Sequence, residues 1–265
     1  MIGRRDPRSL RTATLLVFLA AFFTTFSGTT RAADAPKKKV PAADKTVILV
    51  HGLRQHGKDL QKLSDHLENN RFKVLRFEYA STEVMVEDAS AELAKFIHER
   101  APATEVHFVG FSLGNLVIRQ CLGSIQKLKP RPKIGRIVMI APPNHGARTA
   151  TKYNKKKLGR FIGGPVIGQL GPEFNKLQPT LTTPKDFGII AGGKGDKVGY
   201  SKKDLPGDDD DWLTVETTRL SGAADFRLVK ARHSKLDDDP RVHKLALEFL
   251  KNGYFESGQT RQRIP

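Results

Sequence analysis

Unbroken apolar runs alternate along most of this chain with longer stretches of mixed apolar and polar residues. The first run, Thr46-Val47-Ile48-Leu49-Val50-His51-Gly52-Leu53, carries no polar alternation before His51. A run of that kind is a strand buried on both faces. Phe72 to Tyr79, Glu105 to Val109, Ile134 to Ala141, Asp186 to Gly193 and Phe226 to Val229 read as further strands. Leu60 to Asn70, Val84 to Arg100, Leu113 to Leu122 and Pro240 to Leu250 have the length and spacing of helices. Strand and helix take turns, which predicts an α/β fold with a mostly parallel central sheet and helices on both faces.

Two regions fall outside that alternation. The N-terminus has Arg4, Arg5, Arg8 and Arg11, an uncharged stretch centred on Leu15 to Phe23, and then Thr30-Arg31-Ala32. A basic start, a short apolar centre and small residues near the end predict a secretory signal over residues 1–32. An uncleaved membrane anchor is the alternative, although the apolar centre is short for spanning. Residues 33–44, with Lys37-Lys38-Lys39 and two prolines, are expected to form a disordered leader. The folded domain is expected over 45–256 and a flexible tail over 257–265. The second region is Tyr153 to Pro184, which holds Lys155-Lys156-Lys157 and the apolar Phe161 to Ile167. It reads equally as a small flap and as an ordinary packed connection.

The chemistry starts at Gly110-Phe111-Ser112-Leu113-Gly114. G-x-S-x-G is a weak signal alone, but here it joins an expected strand to an expected helix. That is the setting of a nucleophile elbow, a sharp turn that exposes the serine hydroxyl. The loop after the first strand and the residue after the serine would supply oxyanion-hole amides, from Leu53 and Leu113. His51 stands too early in the chain for the base and is expected to brace that loop. Downstream lies Gly207-Asp208-Asp209-Asp210-Asp211-Trp212, which could be a solvated turn, a loose cation site, or the source of the acid. Of the eight histidines, only His233 and His243 follow it. His233 lies in a loop after the last strand and is the candidate base. His243 sits inside a helical pattern.

These residues give a resemblance. Val50-His51-Gly52-Leu53, Leu75-Arg76-Phe77-Glu78-Tyr79, the elbow, Ala141-Pro142-Pro143-Asn144-His145-Gly146-Ala147 and Arg219-Leu220-Ser221-Gly222-Ala223 are similar to segments of the α/β-hydrolase superfamily. Within it, the chain resembles small bacterial lipases and esterases, from about Lys45 to Leu250. In similar lipases the acid and base stand at fixed offsets from the R-L-x-G-A segment. That register selects Asp210 and His233, with Asp209 and Asp211 open as the acid. Phe111 departs from the usual His before the nucleophile, and Asn115 replaces a small residue. The resemblance implies a minimal hydrolase fold, because the sheet starts at residue 46, and an ester hydrolase using Ser112, His233 and Asp210. It implies no metal or organic cofactor. A thioesterase or membrane-lipid deacylase on the same triad is the runner-up. A non-catalytic basic binding protein on the same fold is the alternative of another class.

Charge adds a partner. The 265 residues carry 45 Lys and Arg against 28 Asp and Glu, a formal +17. Residues 1–32 hold five basic groups and one acid, which leaves the rest near +13. Such a balance favours an anionic membrane surface or acidic substrates. Nucleic acid is not expected, because no binding motif accompanies the charge. The single cysteine, Cys121, reads as a small core residue, so no internal disulfide forms. A monomer is expected.

Overall fold

The computed structural model describes residues 45–101, 105–201 and 205–265. The signal and leader read from residues 1–44 lie outside the described residues. In chain order the elements are β1 (Lys45–Val50), α1 (Gln61–Glu68), β2 (Phe72–Phe77), α2 (Val86–Arg100), β3 (Glu105–Phe111), α3 (Leu113–Ile125) and β4 (Lys133–Ile140). Four short helices follow: α4 (Arg148–Asn154), α5 (Lys157–Gly163), α6 (Val166–Leu170) and α7 (Phe174–Leu177). The chain then runs through β5 (Phe187–Gly193), α8 (Val215–Thr218), β6 (Asp225–Lys230) and α9 (Pro240–Asn252).

The strands form one parallel sheet in the order β2-β1-β3-β4-β5-β6. Burial explains the composition of each strand. Val47, Ile48, Leu49 and Val50 of β1 are wholly inaccessible, as a central strand covered on both faces requires. At the edge, β2 is less enclosed: Phe72 and Phe77 are buried, while Lys73 and Arg76 are exposed. The chain leaves β1 for β2 and returns to β3, so right-handed crossovers put α1 and α2 on opposite faces. α2 packs on α3, while α1 meets α9. Where the winding direction reverses, between β1 and β3, the carboxyl ends of two strands open a crevice.

The last helix is fixed at both ends. The Asp239 side chain accepts from the Arg241 N–H, Pro240 occupies the first turn, and Gly253 closes the helix at φ 74°. The segment 257–265, expected as a flexible tail, is instead bound to the start of β6. Gly222 N–H donates to Ile264 O at 2.9 Å and Ile264 N–H to Ala223 O at 3.1 Å. The buried Asp225 accepts from the Gln262 N–H at 2.8 Å, and Arg227 donates to Thr260 O at 2.6 Å. Polar composition suggested disorder, but main-chain bonds to the buried Asp225–Arg227 pair hold the segment.

His107 on β3 is expected to make the fold sensitive to acid. Its ring is buried, and Gly135 leaves the space that a Cβ would take from it. Nδ1 accepts the Arg136 N–H at 2.9 Å, so the ring is held neutral. Burial pushes its pKa down to about 4 from an ordinary 6.5. The unfolded chain therefore takes up a proton that the folded chain refuses as pH falls from about 6.5 to about 4. Folding stability should drop across that window by up to ~3 kcal/mol from this residue. Urea unfolding of His107→Gln is expected to show a smaller loss between pH 6.5 and pH 4 than the unsubstituted protein. Equal losses in both would refute the assignment.

Candidate active site

Ser112 connects β3 to α3 with φ 50° and ψ −121°, a conformation that side chains rarely adopt. The neighbouring glycines make the turn feasible. A Cβ on Gly110 would collide with Asn115 and Ile118, and one on Gly114 with the carbonyls of Val50 and His51. Two further bonds hold the turn to the next strand. The Ser112 N–H donates to Ile140 O at 2.9 Å. The Asn115 Nδ2 donates to both Ser112 O and Ile140 O at 3.0 Å. Asn115, which stands in place of a small residue, ties the elbow to β4 through its side chain.

His233 opens a single 3-10 turn, His233–Lys235, after β6. Its Nε2 lies 3.0 Å from Ser112 Oγ, and its Nδ1 lies 2.7 Å from Asp210 Oδ2. The backbones are joined as well, since the His233 N–H donates to Asp210 O at 2.7 Å. The rings of Phe111 and Trp212 stand 5.2 Å and 6.3 Å from the imidazole and limit its movement. Phe111, the departure from the usual residue before the nucleophile, thus packs on His233.

The four aspartates have four different surroundings. Asp208 accepts the N–H groups of Lys194 and Gly195 at 2.7 and 2.9 Å. Asp209 is buried and turns away from His233, accepting the Ser201 N–H at 2.9 Å, the Asp211 N–H at 2.7 Å and the Ser201 hydroxyl. Asp211 pairs with Arg232 at 2.6 Å. Asp210 is wholly buried and alone of the four contacts His233. Its other oxygen accepts the Trp212 and Leu213 N–H groups at 3.0 and 2.6 Å, so the carboxylate has no freedom to rotate.

The loop after β1 lies against the elbow. A Cβ on Gly52 would come within 3.0 Å of the Phe111 ring and 3.2 Å of the Ser112 Cβ. That places the neighbouring Leu53 next to Ser112 in the fold. Leu113 is the first residue of α3, and the N–H of a first helical residue has no partner within its helix. Gln55 fixes the loop: its Oε1 accepts the Gly52 N–H at 2.9 Å, and its Nε2 donates to Asp237 Oδ2 at 2.6 Å. Burial raises the Asp237 pKa above the usual carboxylate value, against the Gln55 bond, which lowers it. Asp237 O in turn accepts from His243 Nε2 at 2.6 Å. Gln55 therefore joins the loop after β1 to the loop that carries His233. Nothing local in the sequence marks this contact, because Gln55 and Asp237 stand 182 positions apart. His51 acts as a brace: Nδ1–H donates to Gly52 O at 3.0 Å, and the ring stacks on Tyr79 at 4.4 Å. Burial lowers its pKa, so the brace is neutral. Cys121 is buried in α3, and its thiol is pushed up to about 12 by burial.

Among the described residues no group of three or more His, Cys, Asp or Glu side chains is arranged to hold a metal ion. An open cleft of about 810 Å³ begins at Gln55 and runs past Tyr79 and Thr82 to Phe161 and Ile162.

Residues 41–145 match a protein family described as "Putative serine esterase (DUF676)". The fold is similar to that of a Bacillus licheniformis lipase, BlEst2, in its mature form, at 16% identity and a TM-score of 0.59, over 83% of this chain and 96% of the lipase. The product of the Listeria innocua gene lin2722 is similar at 16% identity and a TM-score of 0.54, over 83% of this chain and 98% of that one. A metagenomic carboxyl esterase, MGS0156, is similar at 14% identity and a TM-score of 0.54, over 74% and 67%. No curated protein matches the sequence.

Proposed function

We propose that this chain, an ester-hydrolysing serine hydrolase of the α/β-hydrolase superfamily, works through Ser112, His233 and Asp210 on short- to medium-chain carboxylic esters. One observation carries the reading: an unbroken hydrogen-bonded line from Ser112 Oγ through the imidazole to a buried carboxylate, at 3.0 and 2.7 Å. A serine hydroxyl is a weak nucleophile until a base accepts its proton. Here Oγ attacks the ester carbonyl carbon as its proton passes to His233 Nε2. The carbonyl π pair moves onto oxygen, within reach of the N–H groups of Leu53 and Leu113. Each such donor is typically worth about 3–4 kcal/mol in the transition state. Asp210 keeps the Nδ1–H tautomer in place and stabilises the imidazolium. Collapse of the intermediate expels the alcohol, which takes the proton from Nε2 and leaves the acyl group on Ser112. Water then repeats the attack with the same base, releasing the carboxylic acid and restoring the hydroxyl.

Chain length follows from the cap. The segment α4 to α7 offers four short helices, too little to roof a long acyl trench. Across p-nitrophenyl esters from acetate to palmitate, kcat/KM is expected to peak between butyrate and octanoate and to fall at least tenfold by palmitate. A maximum at palmitate would overturn the chain-length reading. Absence of turnover on every ester would overturn the ester reading itself.

A further inference from the structure

Helix α5 is packed the wrong way round for a helix of a globular domain. Its buried positions are Gly159 and Gly163, while Leu158 is 68% exposed, Phe161 86% and Ile162 36%. The glycines are needed for the close approach. A Cβ on Gly159 would strike the Tyr153 backbone, and one on Gly163 would crowd Ile167. The helix is therefore seated by its backbone, and its apolar side chains contribute little to the core. Side chains of that size, grouped and turned to water, mark a contact surface.

Charge identifies the partner. Between His145 and Pro172 the sequence has six basic residues and no acidic one. Lys155, Lys156, Lys157 and Arg160, on or just before α5, are exposed. An apolar tip ringed by lysine and arginine suits an anionic lipid surface, where the tip enters the acyl boundary and the cations meet headgroups. A second copy of the chain would bring the same cations face to face. The leader, with Lys37, Lys38 and Lys39, would do likewise.

We propose that the exposed face of α5, led by Leu158 and Phe161 and rimmed by Lys155, Lys156, Lys157 and Arg160, docks this protein onto anionic phospholipid membranes. α4, which packs against α5, adjoins the site. On α4, Thr149 donates to Trp212 O at 2.8 Å and the Tyr153 ring stands 5.2 Å from the Trp212 ring, which neighbours His233. Docking would therefore bring Ser112 close to esters partitioned into the bilayer. That consequence rests on the hydrolase reading, whereas docking itself does not.

The test is co-sedimentation of the full chain carrying Ser112→Ala, which leaves the lipids uncleaved. The vesicles are phosphatidylcholine with or without 30% phosphatidylglycerol. Binding to the anionic vesicles is expected to exceed binding to pure phosphatidylcholine at least tenfold. It should fall at least tenfold between 0.05 and 0.5 M NaCl, as the headgroup attraction is screened. Phe161→Ser is expected to weaken partitioning at least fivefold, and Lys155→Glu/Lys156→Glu/Lys157→Glu at least tenfold. With the native Ser112 restored, the triple-charge variant and Leu158→Ser should turn over p-nitrophenyl butyrate within twofold of the unsubstituted enzyme. Equal binding to both vesicle types, binding unchanged by the substitutions, or no binding would overturn the proposal. Failure of ester turnover with vesicle binding intact would overturn only the hydrolase reading.

Discussion

Ser112→Ala is expected to lower kcat/KM for p-nitrophenyl butyrate by about six orders of magnitude, the loss seen when a serine hydrolase loses its nucleophile. That corresponds to about 8 kcal/mol of transition-state stabilisation. The fold should be unaffected. Alanine keeps the Cβ at φ 50°, and the bonds to Ile140 and Asn115 use only the main chain at this position. His233→Ala should cost a comparable factor, and the double variant little more, because the two groups act as one unit. The melting temperature of each variant distinguishes lost chemistry from lost folding. A Ser112→Ala protein that keeps a tenth or more of its turnover would place the reaction elsewhere.

Asp210→Asn should lower kcat by about four orders of magnitude with little change in KM, as when an orienting acid is replaced by an amide. Asparagine can still accept the Trp212 and Leu213 N–H groups through Oδ1. What changes is the atom facing His233 Nδ1, where an acceptor is replaced by a donor and the wrong tautomer is favoured. The neighbouring aspartates serve as internal controls. Asp211→Ala removes only an exposed pair with Arg232 and should keep turnover within about threefold, the scale of a surface ion pair. Asp209→Ala should lower the melting temperature, since it frees the Ser201 and Asp211 N–H groups in a buried turn. Steady-state kinetics on the three variants reads the difference. A large kcat loss in Asp209→Ala or Asp211→Ala, beside an active Asp210→Asn, would move the acid by one position.

The sheet was legible in the chain because parallel strands carry their burial as continuous apolar runs. Thr46 to Val50 and Glu105 to Val109 lie within the observed β1 and β3. The elbow was legible because steric demands at Gly110 and Gly114 admit no side chain. Chain order singled out His233 over His243, and the structure puts only His233 beside Ser112. Within the aspartate run, the register of similar lipases, counted from the Arg219-Leu220 segment, pointed to Asp210, but adjacent identical residues offer no local signal of which one turns inward. That depends on the Trp212 and Leu213 amides, a property of the folded turn. Other features were hidden for the same reason. Gln55 meets Asp237 only because two loops converge, and Asn115 reaches Ile140 only across the sheet. The apolar stretch from Phe161 to Ile167 looked uniform, yet Phe161 and Ile162 face solvent while Val166 and Ile167 are buried. Residues 257–265 look like a free tail by composition and are held by main-chain bonds that composition cannot report.

The most direct test of the account is to map the covalent adduct formed with a fluorophosphonate. Ser112, if activated as proposed, should attack the phosphorus, displace fluoride and retain the phosphonyl group on Oγ. Intact-mass measurement is expected to show one adduct per chain, with peptide sequencing placing it on Ser112. Ser112→Ala and His233→Ala should remain unlabelled while still folded. Labelling at any other residue, or a folded native protein that takes up no label, would contradict the central claim.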